Sequence, residues 1–63
     1  MTPEHCRTAR KRLGWSADEL AAPVGLHGST VLNFEISRKR LRPNKAARVQ
    51  LALLEAGVDA DEL

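Results

Sequence analysis

Between Ser16-Ala17-Asp18-Glu19 and Gly25 the chain has room for one short helix and no more. A serine followed three residues later by a glutamate is a capping box: the hydroxyl takes the Glu19 amide, and the Glu19 carboxylate reaches back to the Ser16 amide. Trp15, just before the cap, and Leu20, at the fourth helical position, have the spacing of a hydrophobic staple. The helix therefore runs from about Ala17 to Ala22 or Val24. Pro23 is tolerated only in its last turn, because a proline deeper inside would remove a hydrogen bond and clash with the preceding carbonyl. Gly25 supplies the turn, Leu26 points to the core and His27 stands in cap position for a third helix from about Gly28 to Glu35. Two short helices must meet at a tight corner, and the remainder of the chain has to cover them.

The same punctuation brackets that corner. Thr2-Pro3-Glu4 opens a first helix with a cap, a proline at the first helical position and an acid against the dipole. Cys6, Ala9, Arg10 and Leu13 share its face, and Gly14 ends it. Pro43 or Asn44 opens a fourth helix that continues to about Ala56, where Gly57 stops it. Alternating β-branched stretches are missing, so the expected fold is all-α: a compact domain of four helices, possibly five, over residues 1–58, with an acidic tail at 59–63. At 63 residues such a domain is close to the smallest that folds without staples. Its one cysteine excludes an internal disulfide and suits a reducing compartment. Cys6, His5 and His27 have no zinc-site spacing, so no metal or other cofactor is expected. No apolar run approaches the roughly 18 residues of a membrane span, and no apolar h-region follows the N-terminus. We expect a cytoplasmic protein without a membrane role.

Helix packing is left to hold the domain together, with help from apolar surface on the fourth helix. In residues 46–58, nine of thirteen are apolar, more than one buried stripe needs. Ala46, Val49 and Leu53 form one set; Leu51, Leu54 and Val58 form another at spacings of three and four. One set is expected to close the core and the second, Leu51, Leu54 and Val58, to make a two-fold homodimer.

Charge divides along the chain. Residues 1–54 carry ten Lys and Arg against Glu4, Asp18, Glu19 and Glu35, a net +6, whereas Glu55, Asp59, Asp61 and Glu62 have no base among them. A basic body with an acidic end suits a surface for a polyanion. Ser37-Arg38-Lys39-Arg40-Leu41-Arg42, directly after the third helix, concentrates that charge. The second and third helices with a short glycine turn have the helix-turn-helix pattern, in which the first helix crosses a nucleic-acid backbone and the second offers its early residues to base edges.

Here the chain resembles the Cro and lambda-repressor-like helix-turn-helix proteins, the XRE family. The matching text is ARKRLGWSADELAAPVGLHGSTVLNFE at 9–35, RP at 42–43 and LLEAGV at 53–58, which together cover nearly the whole chain. Leu13-Gly14, Ser16, Glu19-Leu20-Ala21, Val24-Gly25-Leu26, Ser29-Thr30-Val31 and Glu35 are specific as a set. The resemblance implies a lambda-repressor-like domain whose recognition helix is 27–35, with His27, Gly28, Ser29 and Asn33 at base-reading positions. It places Ser16 and Ala17, Thr30, and the loop residues Ser37, Arg38, Lys39 and Arg40 at the backbone of double-stranded DNA. It also pairs Arg10 with Glu35 in a structural salt bridge. The chain departs from the pattern at Ala17, which stands where a glutamine is common, at Gly28, which has no side chain to read a base, at Pro23, and at Ser37 in place of a loop glycine.

The function expected is a sequence-specific transcriptional regulator, a repressor that binds a palindromic operator as a dimer through the major groove, with no small-molecule ligand. The alternative is a protein-interaction module on the same fold, such as an antitoxin or phage accessory factor. No nucleophile–base pair, metal set or cofactor loop argues for an enzyme.

Overall fold

The computed structural model describes residues 1–37 and 40–63, and every side chain among them except that of Glu62. Arg38 and Lys39 lie outside the described residues. The described chain is all-α: α1 (Pro3–Arg12), α2 (Ala17–Ala21), α3 (Gly28–Ile36) and α4 (Pro43–Glu55), with 3-10 turns at Ala22–Val24 and Ala60–Glu62.

The caps are where the sequence puts them. The Thr2 hydroxyl accepts the His5 amide at 3.1 Å. Ser16 Oγ accepts the Glu19 amide at 3.1 Å and Glu19 Oε1 accepts the Ser16 amide at 3.0 Å, so both orphan donors at the start of α2 are satisfied. Pro23 is accommodated by a change of helix type. α2 stops at Ala21, and Ala22–Val24 tighten into a 3-10 turn, so no interior α-helical bond is asked of the proline nitrogen.

Gly25 then reverses the chain in the left-handed conformation, φ 71°. Its amide donates to the Ala22 carbonyl at 3.2 Å, and the Leu26 amide donates to Ala21 at 3.0 Å. This pair of bonds is a Schellman motif, and Leu26 is the apolar residue that follows it into the core. α4 ends in the same way: the Gly57 amide bonds to Leu54 and the Val58 amide to Leu53, each at 3.1 Å. Val58 thereby turns inward beside Leu53 and is only 7% exposed.

That turn corrects one expectation. Helical spacing groups Val58 with Leu51 and Leu54, but the helix has ended at Glu55 with Ala56 as its cap, so Val58 no longer follows α4's periodicity. It belongs to the core with Val49 and Leu53, and Leu51 stands exposed on the outer side of α4 while Leu54 is half-buried.

The core joins Cys6 and Ala9 of α1, Ala17, Leu20 and Ala21 of α2, Val31 and Phe34 of α3, and Val49, Leu53 and Val58. Trp15 and Leu41 pack on its margin, as does Leu63, which folds the acidic C-terminal stretch back onto the domain. α2 and α3 share the most extensive contact, so the corner at Gly25 is a packed unit.

Substituting Gly25 tests the corner, because any side chain there must take up a left-handed backbone that costs an L-residue about 1–2 kcal/mol. Gly25→Ala should lower the urea-unfolding free energy by about that amount, and Gly25→Asn by less. Equal stability of Gly25→Ala and the parent would show that the turn is not held in this conformation.

Candidate nucleic-acid interface

α3 is oriented from its buried side. Glu35, whose side chain is 1% exposed, receives two hydrogen bonds from Arg10 of α1: Nη2 to Oε1 at 2.9 Å and Nε to Oε2 at 3.0 Å. The remaining guanidinium nitrogen, Nη1, donates to the Trp15 carbonyl at 2.9 Å, and the Cys6 thiol donates to Glu35 Oε2 at 3.4 Å. No buried side-chain nitrogen or oxygen among the described residues lacks a partner. A buried ion pair is tolerable only when its remaining donors and acceptors are filled in this way. The pair joins α1 to α3, as the family resemblance implies, and fixes which side of α3 faces outward.

Burial pushes the Cys6 thiol up to about 12, from an ordinary 9.0, and the adjacent Glu35 charge and hydrogen bond act in the same direction while Arg10 opposes them. The thiol is therefore a core group that donates a hydrogen bond, without thiolate character at neutral pH.

With Val31, Phe34 and Glu35 turned inward, the opposite face of α3 carries Ser29, Leu32, Asn33 and Ile36, at spacings of three, four and seven. Ser29 and Asn33 are exposed, as the sequence leads one to expect. Leu32 and Ile36 are a finding: they are 40% and 68% exposed, two of the three large apolar side chains that the described residues leave open to solvent. Helical phase could have located them, since Leu32 and Ile36 lie three residues beyond Ser29 and Asn33 respectively on the same face.

Two of the expected contact residues are not at the surface. Gly28 is buried, because α2 lies against it: a Cβ there would run into the Asp18 carboxylate and come within 3.1 Å of the Asp18 amide nitrogen. Its role is close approach of the two helices, and, buried and without a side chain, it is not a base-reading residue. Ala17 is 8% exposed and its methyl belongs to the core, so no side chain of α2 reaches outward at that position.

His27 is exposed and is the N-cap residue of α3, but its side chain makes no capping bond. Thr30 is half-buried, and Ser16 and Ser37 are exposed. Of the basic loop, Arg40 and Arg42 are exposed between the end of α3 and the start of α4; Arg38 and Lys39, expected at a backbone contact, lie outside the described residues. No group of three or more metal-ligating side chains occurs among the described residues, and none of their helices is long and apolar enough to cross a membrane. The chain was compared with protein-family models, curated proteins and solved structures, and none of the three comparisons found a match.

Removing half of the ion pair leaves a buried charge unpaired, so Glu35→Ala should cost about 3–5 kcal/mol in denaturant unfolding, and Glu35→Gln should lower the melting temperature measurably. An unchanged melting temperature in Glu35→Gln would show that the pair does not hold α1 to α3.

Cys6 gives a pH signature. Its folded-state pKa lies above the unfolded value, so the folded state binds the extra proton; the associated stability is complete below pH 9.0 and is lost as pH rises toward about 12. Stability measured from pH 8 upward should fall more steeply in the parent than in Cys6→Ala.

Proposed function

We propose that the protein is a helix-turn-helix DNA-binding regulator, similar to the Cro and lambda-repressor-like proteins, that lays α3 in the major groove of duplex DNA. The observation that carries this reading is the outward face of α3, free of the core and followed at once by a basic loop, on a helix held by α2 and a tight glycine corner. It acts by binding, as a repressor that occludes its site.

Asn33 is the base reader, with an amide suited to the N6 and N7 edge of adenine. Ser29 lies one turn earlier on the same face and is the second polar reader. Leu32 and Ile36 supply what a polar face cannot, apolar contact with the C5-methyl of thymine. Arg40 and Arg42, with Arg38 and Lys39 just before them in the sequence, neutralise phosphates, which gives affinity and salt dependence but little sequence information. A half-site containing A·T pairs follows from this combination.

The Cα framework of one copy spans 23 × 20 × 19 Å, less than the roughly 34 Å that separates successive major grooves on one side of a duplex. Reading two grooves takes two copies, and a two-fold pair of them calls for a palindromic site.

Selection from random duplexes tests the reading, repeated at two salt concentrations. A recovered palindrome whose binding weakens steeply with salt is the expected result. Asn33→Ala should cost about 1–3 kcal/mol on the selected site and relax one base position. Replacing thymine by uracil in that site deletes the methyl alone, and should weaken the parent more than a variant carrying Ile36→Ala and Leu32→Ala. The same two exposed side chains favour a second reading, in which α3 faces a protein. Failure to select any duplex, at either salt concentration, would support it over the first.

A further inference from the structure

The outer side of α4 carries a pattern unrelated to α3. Leu51, the third exposed large apolar side chain at 54%, lies beside a groove of about 440 Å³ walled on the other side by Pro23, Val24 and Gly25. Arg48 and Glu55 stand at the two ends of this groove, with Leu51 and Ala52 between them. Both charged residues are exposed, and neither forms an ion pair among the described residues. Neither has an opposite charge three or four positions away along α4 to pair with it.

Seven residues is two helical turns, so Arg48 and Glu55 point the same way, about 10.5 Å apart along the axis. Their midpoint falls between Leu51 and Ala52. A second α4 laid antiparallel about a two-fold axis through that midpoint therefore sets Arg48 of each copy opposite Glu55 of the other. Leu51 meets Leu51 of the second copy across one end of the axis, and Ala52 meets Ala52 across the other, where the small side chains let the helices come close. Ala47 and Ala56, also exposed, flank the contact symmetrically and place no bulk in its way.

We propose that this face binds a second copy of the chain, through an antiparallel α4–α4 contact with two reciprocal Arg48–Glu55 pairs around Leu51. A two-fold interface must be complementary to itself, and a cation and an anion equidistant from an apolar centre meet that condition. The core-facing residues Val49, Leu53 and Val58 are occupied within each copy, so pairing needs no rearrangement of the domain. A typical stable interface covers about 800 Å² per partner, close to a fifth of the 4204 Å² exposed by one copy. One helix face and its adjoining turn supply less, so the dimer dissociates on dilution. The contact stands independently of the DNA reading.

Sedimentation equilibrium over a range of concentrations tests it on the full chain without DNA. The parent should be a dimer at about 1 mM and dissociate at micromolar concentrations. Arg48→Glu and Glu55→Arg should each weaken association by about tenfold or more, since each turns two attractive pairs into two repulsive ones. The double variant should recover parental association. An equimolar mixture of the two single variants should form a heterodimer. One chain then carries an anion at both positions and the other a cation at both, so the two pairs across the axis are again attractive. Both positions are exposed, so circular dichroism melting should remain close to that of the parent for each variant. A monomer at about 1 mM, or a dimer indifferent to all of these charge changes, overturns the proposal.

Discussion

The forked pair between Arg10 and Glu35 is the interaction on which the remaining geometry depends. α3 is nine residues long, and its buried apolar contribution amounts to Val31 and Phe34. Two apolar anchors leave a short helix some freedom to roll about its axis, even with its start held against α2 at Gly28. A carboxylate that must lie on the core side, gripped through both oxygens by a guanidinium from α1, removes that freedom. The arrangement is costly in isolation and is sustained because Trp15 and Cys6 complete its hydrogen bonds. Hydrocarbon in place of the pair could hold α1 and α3 together; what the forked pair adds is a directional contact on one arc of α3.

The helix ends were legible because their chemistry is local. A capping box, a threonine cap before proline and a glycine followed by an apolar residue each act within six residues: α2 and α1 begin at the first two, and the chain leaves α1, the 3-10 turn after α2, and α4 at the third. Gly25-Leu26 and Gly57-Val58 show how far such a signal reaches. The glycine ends the helix, and the next residue is directed into the core, so the pair specifies a direction as well as a boundary. Pro23 is readable as a conflict, and the 3-10 turn at Ala22–Val24 is its resolution.

What the sequence did not disclose depends on neighbours distant in the chain. Gly28 reads as a weak helix residue beside a binding surface, yet the Asp18 side chain and amide crowd it, and only the packed pair of helices makes that visible. Ala17 reads as a lost contact and proves to be a core methyl. Helical phase groups Val58 with Leu51, but the glycine before it breaks that phase. In α3, the polar residues drew attention to one face, but Leu32 and Ile36 share it. Their exposure follows from the Glu35 anchor opposite, and an apolar residue on a short helix ordinarily invites the contrary reading.

A domain of this size has more apolar side chains than interior to hold them, and where it leaves the surplus is informative. The two patches differ in their polar company. On α3, Leu32 and Ile36 alternate with hydrogen-bonding groups that carry no charge, and cations follow in the next loop, a combination suited to a polyanion with methyl groups along its groove. On α4, Leu51 is bounded by one cation and one anion at equal distances, which offers nothing to a polyanion but is complementary to its own rotated copy. The ion pair at Arg10 sets the first face, and the inward turn of Val58 at Gly57 clears the second. A single packed core thus leaves two surfaces of different chemistry pointing in directions that the core itself determines.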